Sequence, residues 1–256
     1  MGTETLRALI TGAGNMGRGI RSALEARGDE VVAMLGRGTL PHVEPATLAP
    51  VDIAFEFSHD SALIPNVGLA LAAGCRAFVI GTTGWSAADG TGVALREALG
   101  SVEARAVVAP TFSLAAVLFG QLAEEAARRF GRFPAYDPYI FEQHRRAKPD
   151  RPSGTAAALA ERLLPHLPSK RRAHLAEGPG APDPDVLEVA ALRAGSHPGM
   201  HIVGFDGPGE ALELRISARD RSAYVAGALL AADSLLADPD RRGIRDFESL
   251  IRERIA

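Results

Sequence analysis

The chain holds a single cysteine, Cys75, among its 256 residues, so no disulfide can form within it. That fits a reducing compartment. No stretch of about 20 apolar residues is present to cross a bilayer, although 46% of the residues are hydrophobic. Neither sign of charge dominates: the formal net charge is -3, with no global pull toward nucleic acid or an anionic membrane. Any basic patch must be local. There is no HExxH pattern, no pair of cysteines and no cluster of carboxylates, so no metal site is expected. A G-x-S-x-G nucleophile turn is also missing. The strand-like run Leu6–Ile10 starts almost at once, with no basic segment and apolar core of a targeting sequence before it. Leu6 stands where a myristoylation signal wants Ser or Thr. The expectation is a soluble cytoplasmic protein that binds neither nucleic acid nor membrane.

What is present is strand–helix alternation. Leu6–Thr11, Glu30–Leu35, Ile53–Phe57, Ala77–Ile80 and Ala106–Ala109 read as short apolar strands. Met16–Arg27, Leu63–Ala73 and Ala87–Leu99 read as helices between them. This order predicts an α/β fold whose parallel sheet carries helices on both faces. After Pro110 the character changes. A long helical pattern, Leu114–Phe130, precedes an aromatic-rich strand, Tyr136–Gln143, and a helix over Ala156–Leu164. A Pro/Gly/Asp-rich stretch, His174 to Asp185, leads to three runs with strand alternation: Val186–Arg193, His201–Phe205 and Ala211–Ser217. Gly-containing turns separate them, which reads as an open, largely antiparallel sheet. The apolar helix Ala223–Leu236 is expected to return to the first domain. The division is therefore 1–110 with 221–256, and 111–220.

Four segments carry candidate chemistry. Gly12-Ala13-Gly14-Asn15-Met16-Gly17 follows a strand and opens a helix. A tight turn needs Gly12, close approach of a pyrophosphate needs Gly14, and helix–strand packing favours Gly17. The end of the second strand offers no carboxylate for ribose hydroxyls but does offer Arg37, which suits the 2′-phosphate of NADPH over NADH. Two turns, Gly81-Thr82-Thr83-Gly84 and Ala109-Pro110-Thr111-Phe112-Ser113, sit at strand ends where open sheets bind ligands.

The fourth segment is Glu142 to Thr155. His144 has a near-neutral reference pKa, and Lys148 can be tuned to move protons. Arg145, Arg146 and Arg151 raise the local potential for carboxylates. Ser153-Gly154-Thr155 opens onto a helix, whose first N–H groups favour an anion. A plainer reading is a basic surface loop before a capped helix, but the glycine turn and strand-end loops argue against it. His59, His197 and His201 are read as structural or surface residues.

Taken together these segments resemble the 4-hydroxy-tetrahydrodipicolinate reductase (dihydrodipicolinate reductase) family nearly end to end. The resemblance runs through G-A-G-N-M-G, F-E-F-S-H at 55–59, G-T-T-G at 81–84, A-P-T-F-S at 109–113, the run from Glu142 to Thr155, R-A-G at 193–195 and G-M-H at 199–201. It implies a Rossmann cofactor domain, an α+β substrate and oligomerisation domain with a mixed sheet, and a homotetramer. It also implies NAD(P)H-dependent reduction of a dicarboxylate cyclic imine in lysine and diaminopimelate biosynthesis. By position, His144 and Lys148 become the catalytic pair, and Ser153, Gly154 and Thr155 become carboxylate binders. Gly81, Thr82, Thr83 and Ala109 to Phe112 fall near the nicotinamide ribose. Arg215-Ile216-Ser217-Ala218 stands where the family usually has T-H-K-A, and four single positions also depart. Arg145 replaces a second histidine that contacts substrate, Thr111 replaces an asparagine, Ala115 a glycine, and Met200 the glutamate of G-E-H. Those departures leave open a reductase of another cyclic imine or unsaturated acid, or a nucleotide-sensing paralogue without turnover.

Overall fold

The computed structural model describes residues 5–37, 43–176 and 179–255. In chain order the first elements are β1 (Arg7–Thr11), α1 (Asn15–Ala26), β2 (Glu30–Leu35), β3 (Ile53–Glu56) and α2 (Asp60–Ala72). Then come β4 (Ala77–Ile80), α3 (Gly90–Gly100), β5 (Arg105–Val108), α4 (Leu114–Phe130) and β6 (Asp137–His144). They are followed by α5 (Gly154–Leu163), β7 (Arg172–Leu175), β8 (Val186–Arg193), β9 (Gly199–Gly207) and β10 (Glu210–Ala218). The chain closes with α6 (Ser222–Ala237), β11 (Gly243–Asp246) and α7 (Phe247–Ile255). Two compact units form, Met1–Leu114 with Arg221–Ala256, and Ala115–Asp220.

In the first unit six parallel strands line up in the order β11-β5-β4-β3-β1-β2. Strands β3 and β4 are buried at every position; β4 reads as an unbroken apolar run, and β3 is apolar up to its last residue, the buried Glu56. Leu9, Phe78 and Ile80 pack with Leu63 and Val67 of α2 and Leu95 and Leu99 of α3. Helix α6 packs on α1 and β4. Its small buried residues allow this close fit: a Cβ at Gly227 would overlap the carbonyl oxygen of Phe112. The chain turns back on itself between β1 and β2 on one side and β3 on the other, so the end of β1 is the switch point.

The second unit holds a five-stranded sheet, β10-β9-β6-β8-β7. It is mixed, because β6 and β7 both run parallel to β8 while β9 is antiparallel to β6 and β10. The largely antiparallel reading is thereby corrected. It counted the alternating strands after Asp185 and missed β7, a four-residue strand in which exposed Arg172 and His174 alternate with half-buried Ala173 and Leu175, too short to stand out. β11 was missed for the same reason: its only large apolar residue is Ile244. Ile140, Val189, Val203 and Phe205 form the sheet's core face against Phe119 and Ala123 of α4 and Leu159 and Leu163 of α5.

Candidate active site

At the end of β1, Gly12 has φ +110°, and a Cβ there would stand 2.1 Å from the Phe57 carbonyl oxygen. Gly17 is equally constrained, since its Cβ would come within 1.9 Å of the Gly12 oxygen. Gly14 differs. It caps α1 without any side-chain hydrogen bond, and a Cβ on it would meet nothing within 4 Å. The turn is thus tight below and open above, a cradle that fits a pyrophosphate at the α1 N-terminus. Arg18 braces it, donating to the Ala13 carbonyl and to Asn15 Oδ1 at 2.7 Å each. Arg37 is exposed just beyond β2.

Beneath this turn lies a group that sequence reading did not single out. Glu56, only 1% exposed, accepts from Asn66 Nδ2 and Thr82 Oγ1 at 2.9 Å each, and from the Thr11 and Ser58 hydroxyls. Burial pushes its carboxyl up, while the four donors pull it back toward ionisation. Thr82 therefore points inward, and only Thr83 of the pair is exposed. Gly81 lies against the Phe57 ring, where a Cβ would clash. Phe112 is buried too, its ring 5.7 Å from Phe57 and 5.1 Å from Phe247. Its ring belongs to the core, so contact with a ligand falls to the backbone of this loop and to Ala109, Pro110 and Thr111, which keep some exposure.

The second unit gathers the central run at the end of β6. Period-two alternation puts Ile140, Glu142 and His144 on one buried face, so the core pattern runs straight into the polar pair. Pairing with β9 sets His201 opposite Glu142, and pairing with β8 sets Arg193 opposite His144. One carboxylate oxygen, Glu142 Oε1, accepts from Arg193 Nη2 at 2.7 Å and from the Ser153 backbone N–H at 3.0 Å. The other, Oε2, faces His201 Nε2 at 3.3 Å and His144 Nδ1 at 3.4 Å. Neither contact at Oε2 has hydrogen-bond geometry, and both Oε2 and His144 Nδ1 remain buried without a hydrogen-bond partner. The two imidazoles meet edge to face with centroids 5.1 Å apart.

Burial alone would raise the Glu142 carboxyl, but the surrounding His201, Ser153 and Arg193 more than offset it and hold it well below the usual carboxylate range. Burial lowers His144 to about 4 against the opposing pull of Glu142, with His201, Lys148 and Arg193 adding to the fall. His144 is a neutral imidazole at neutral pH. Its Nε2 edge is kept clear by Gly199, where a Cβ would stand 2.9 Å away. Lys148 pairs with Asp150 at 2.7 Å. Ser153 is buried: its hydroxyl caps α5 by accepting from the Ala156 N–H at 3.2 Å and lies 3.2 Å from His201 Nε2. Gly154, Thr155 and Arg145 are exposed around it. His201, read as a structural or surface residue, is buried here against Ser153 and Glu142, and the spacing alone revealed neither its place nor that of Glu142. Glu142, His144 and His201 also converge, each offering one possible ligand atom, all within 4.8 Å of one another. Their sequence separation hid the cluster, and only strand pairing closes it.

The family described as "Dihydrodipicolinate reductase, N-terminus" matches residues 6–112, and "Dihydrodipicolinate reductase, C-terminus" matches residues 115–251. The chain belongs to the dihydrodipicolinate reductase family. A relative from Halorhodospira halophila named 4-hydroxy-tetrahydrodipicolinate reductase is 34% identical over 245 residues, covering 90% of this chain and 86% of the relative. One of the same name from Xanthomonas campestris is 35% identical over 252 residues, covering 93% and 95%. The fold is shared with a dipicolinate-bound dihydrodipicolinate reductase from a Paenisporosarcina species, at TM-score 0.71 and 22% identity over 96% of this chain and 99% of that one. Of the four single positions that depart from the family pattern, Arg145 and Ala115 are exposed, Thr111 is half-buried and Met200 is buried.

Proposed function

We propose that this chain reduces the dihydrodipicolinate-type cyclic imine to tetrahydrodipicolinate in lysine and diaminopimelate biosynthesis, with NADPH preferred over NADH. One observation carries the reading: a buried neutral His144, backed by Glu142, shares a strand end with a cationic Lys148 and the α5 N-terminus. The nicotinamide cofactor, when bound, supplies a hydride to C4 of the unsaturated ring. In the first unit the open turn around Gly12, Ala13, Gly14, Asn15, Met16 and Gly17 would hold its pyrophosphate, and Arg37 its 2′-phosphate. Gly81, Thr82, Thr83 and the 109–112 loop would shape the nicotinamide end.

In the second unit the Gly154 and Thr155 backbone would take a substrate carboxylate, with Ser153 shaping the turn as helix cap. Arg145 would bind a carboxylate through its guanidinium fork. Lys148 donates the proton that the reduced enamine requires. His144, neutral and buried beside Glu142, orients the ring through Nε2. Arg145 also favours a second reading, a reductase of the same build with another unsaturated acid as substrate.

The test couples purified protein to dihydrodipicolinate synthase and follows NADPH oxidation by absorbance. Turnover well above background is expected. Folded protein that binds NADPH yet shows no turnover would sink the leading reading. NADH binding far tighter than NADPH would overturn the role given to Arg37.

A further inference from the structure

The convergence of Glu142, His144 and His201 has a use beyond imine reduction. We propose that these three residues form an inhibitory site for a divalent transition metal of the Zn²⁺ class. Each offers one ligand atom, all three residues are buried, and the three atoms lie within 4.8 Å of one another. Two of the separations, 3.4 Å for Glu142 Oε2 to His144 Nδ1 and 3.3 Å for Glu142 Oε2 to His201 Nε2, match a metal's needs. Ligands about 2.0–2.1 Å from a tetrahedral ion stand about 3.3–3.4 Å apart. A carboxylate and two imidazoles, with one position left for water, are a normal donor set for that ion.

The second observation is independent of the spacing. Glu142 Oε2 and His144 Nδ1 are buried and lack any hydrogen-bond partner, which is costly for polar atoms. The opposite oxygen, Oε1, absorbs the Arg193 guanidinium and the Ser153 N–H, so the cationic neighbour does not occupy the side facing the histidines. Ser153 Oγ accepts from the Ala156 N–H, leaving its own proton free to donate to His201 Nε2. With the proton on Nδ1, the Nε2 lone pair of His201 would face Oε2 across 3.3 Å, an arrangement that a metal ion can bridge. Once bound, it would hold the imidazole proposed to orient substrate, so the reductase would be stopped reversibly.

The site can be probed with Co²⁺ on the full chain after removal of metal by chelation. Saturation of a visible four-coordinate absorption band at one equivalent is expected, with loss of the band on adding Zn²⁺. His144→Asn and His201→Asn should each weaken binding by at least about tenfold, with folding checked by circular dichroism. His174→Asn, on the exposed edge strand β7, should leave the band unchanged. Absence of the band in the wild type, or its persistence in either of the first two variants, would overturn the site. Two variants are used so that misfolding of one does not decide the matter. Binding does not depend on the reductase reading, but inhibition does. Undiminished turnover with the band saturated would refute the inhibitory role, whereas a chelated protein that reduces nothing would fault the reductase reading instead.

Discussion

At the residue scale the decisive contacts are few. His144 lies beside Glu142 on one edge and has room on the other only because position 199 is glycine. Gly199→Ala places a carbon 2.9 Å from Nε2 and must turn the ring. We expect kcat to fall roughly tenfold to a hundredfold with NADPH affinity unchanged, measured by steady-state kinetics and fluorescence titration. An unaltered kcat would mean that the ring's orientation does not matter. Lys148→Ala should lower kcat by about 10² to 10⁴, the usual worth of a positioned acid, again without loss of cofactor binding. Equal losses in kcat and cofactor affinity would argue against a proton-transfer role.

Elements determine how these residues meet. Helix α5 begins where Ser153 accepts from the Ala156 N–H, and the same hydroxyl touches His201. Ser153→Ala should cost about 1 kcal/mol through the lost cap, and Tm should drop by about 2–4 °C in a chain of this size. A larger fall would show that the His201 contact matters too. In the first unit Glu56 ties β1, β3, α2 and the 81–84 turn together through four donors. Its folded carboxyl lies above the ordinary 4.5 because of burial, so folding favours the protonated form. Stability from this group is therefore present at acid pH and lost as pH rises from 4.5 through the raised value. Denaturant midpoints of the wild type, relative to Glu56→Gln, should decline across that interval. A flat difference would mean that the carboxyl is not perturbed.

On the scale of the whole molecule, the second unit has exposed apolar residues to cover. Leu192 and Leu212 of its sheet are 44% and 36% exposed. We expect a homotetramer in solution, with sedimentation giving four times the chain mass. Leu212→Lys on the edge strand should shift the distribution toward smaller species. A monomer across the concentration range would contradict this expectation.

Legibility in the sequence followed the strength of local signals. β2, β4, α4 and β8 lie on the residues that the apolar patterns mark, because burial on both faces or a long amphipathic stripe leaves a periodic trace. β7 and β11 left only a faint one, being four-residue edge strands with two exposed residues each. The glycine turn was legible because backbone crowding at Gly12 and Gly17 excludes any side chain. His144, Lys148 and Ser153 could be named from one contiguous run. Glu142 stood in that run but looked ordinary, and His201 lies 57 positions from His144, too far for spacing to join them.

The sequence by itself determined the α/β order, the glycine cradle, the central run and the family to which the chain belongs, since each is written in contiguous residues. Tertiary structure alone decided that Glu142 stands across a ladder from His201, that His144 is neutral, and that Thr82 and Ser153 turn inward to hold other groups. The reason is physical. Local spacing fixes which residues lie on a strand, whereas strand pairing and burial fix which charges share a low-dielectric space and what they become there.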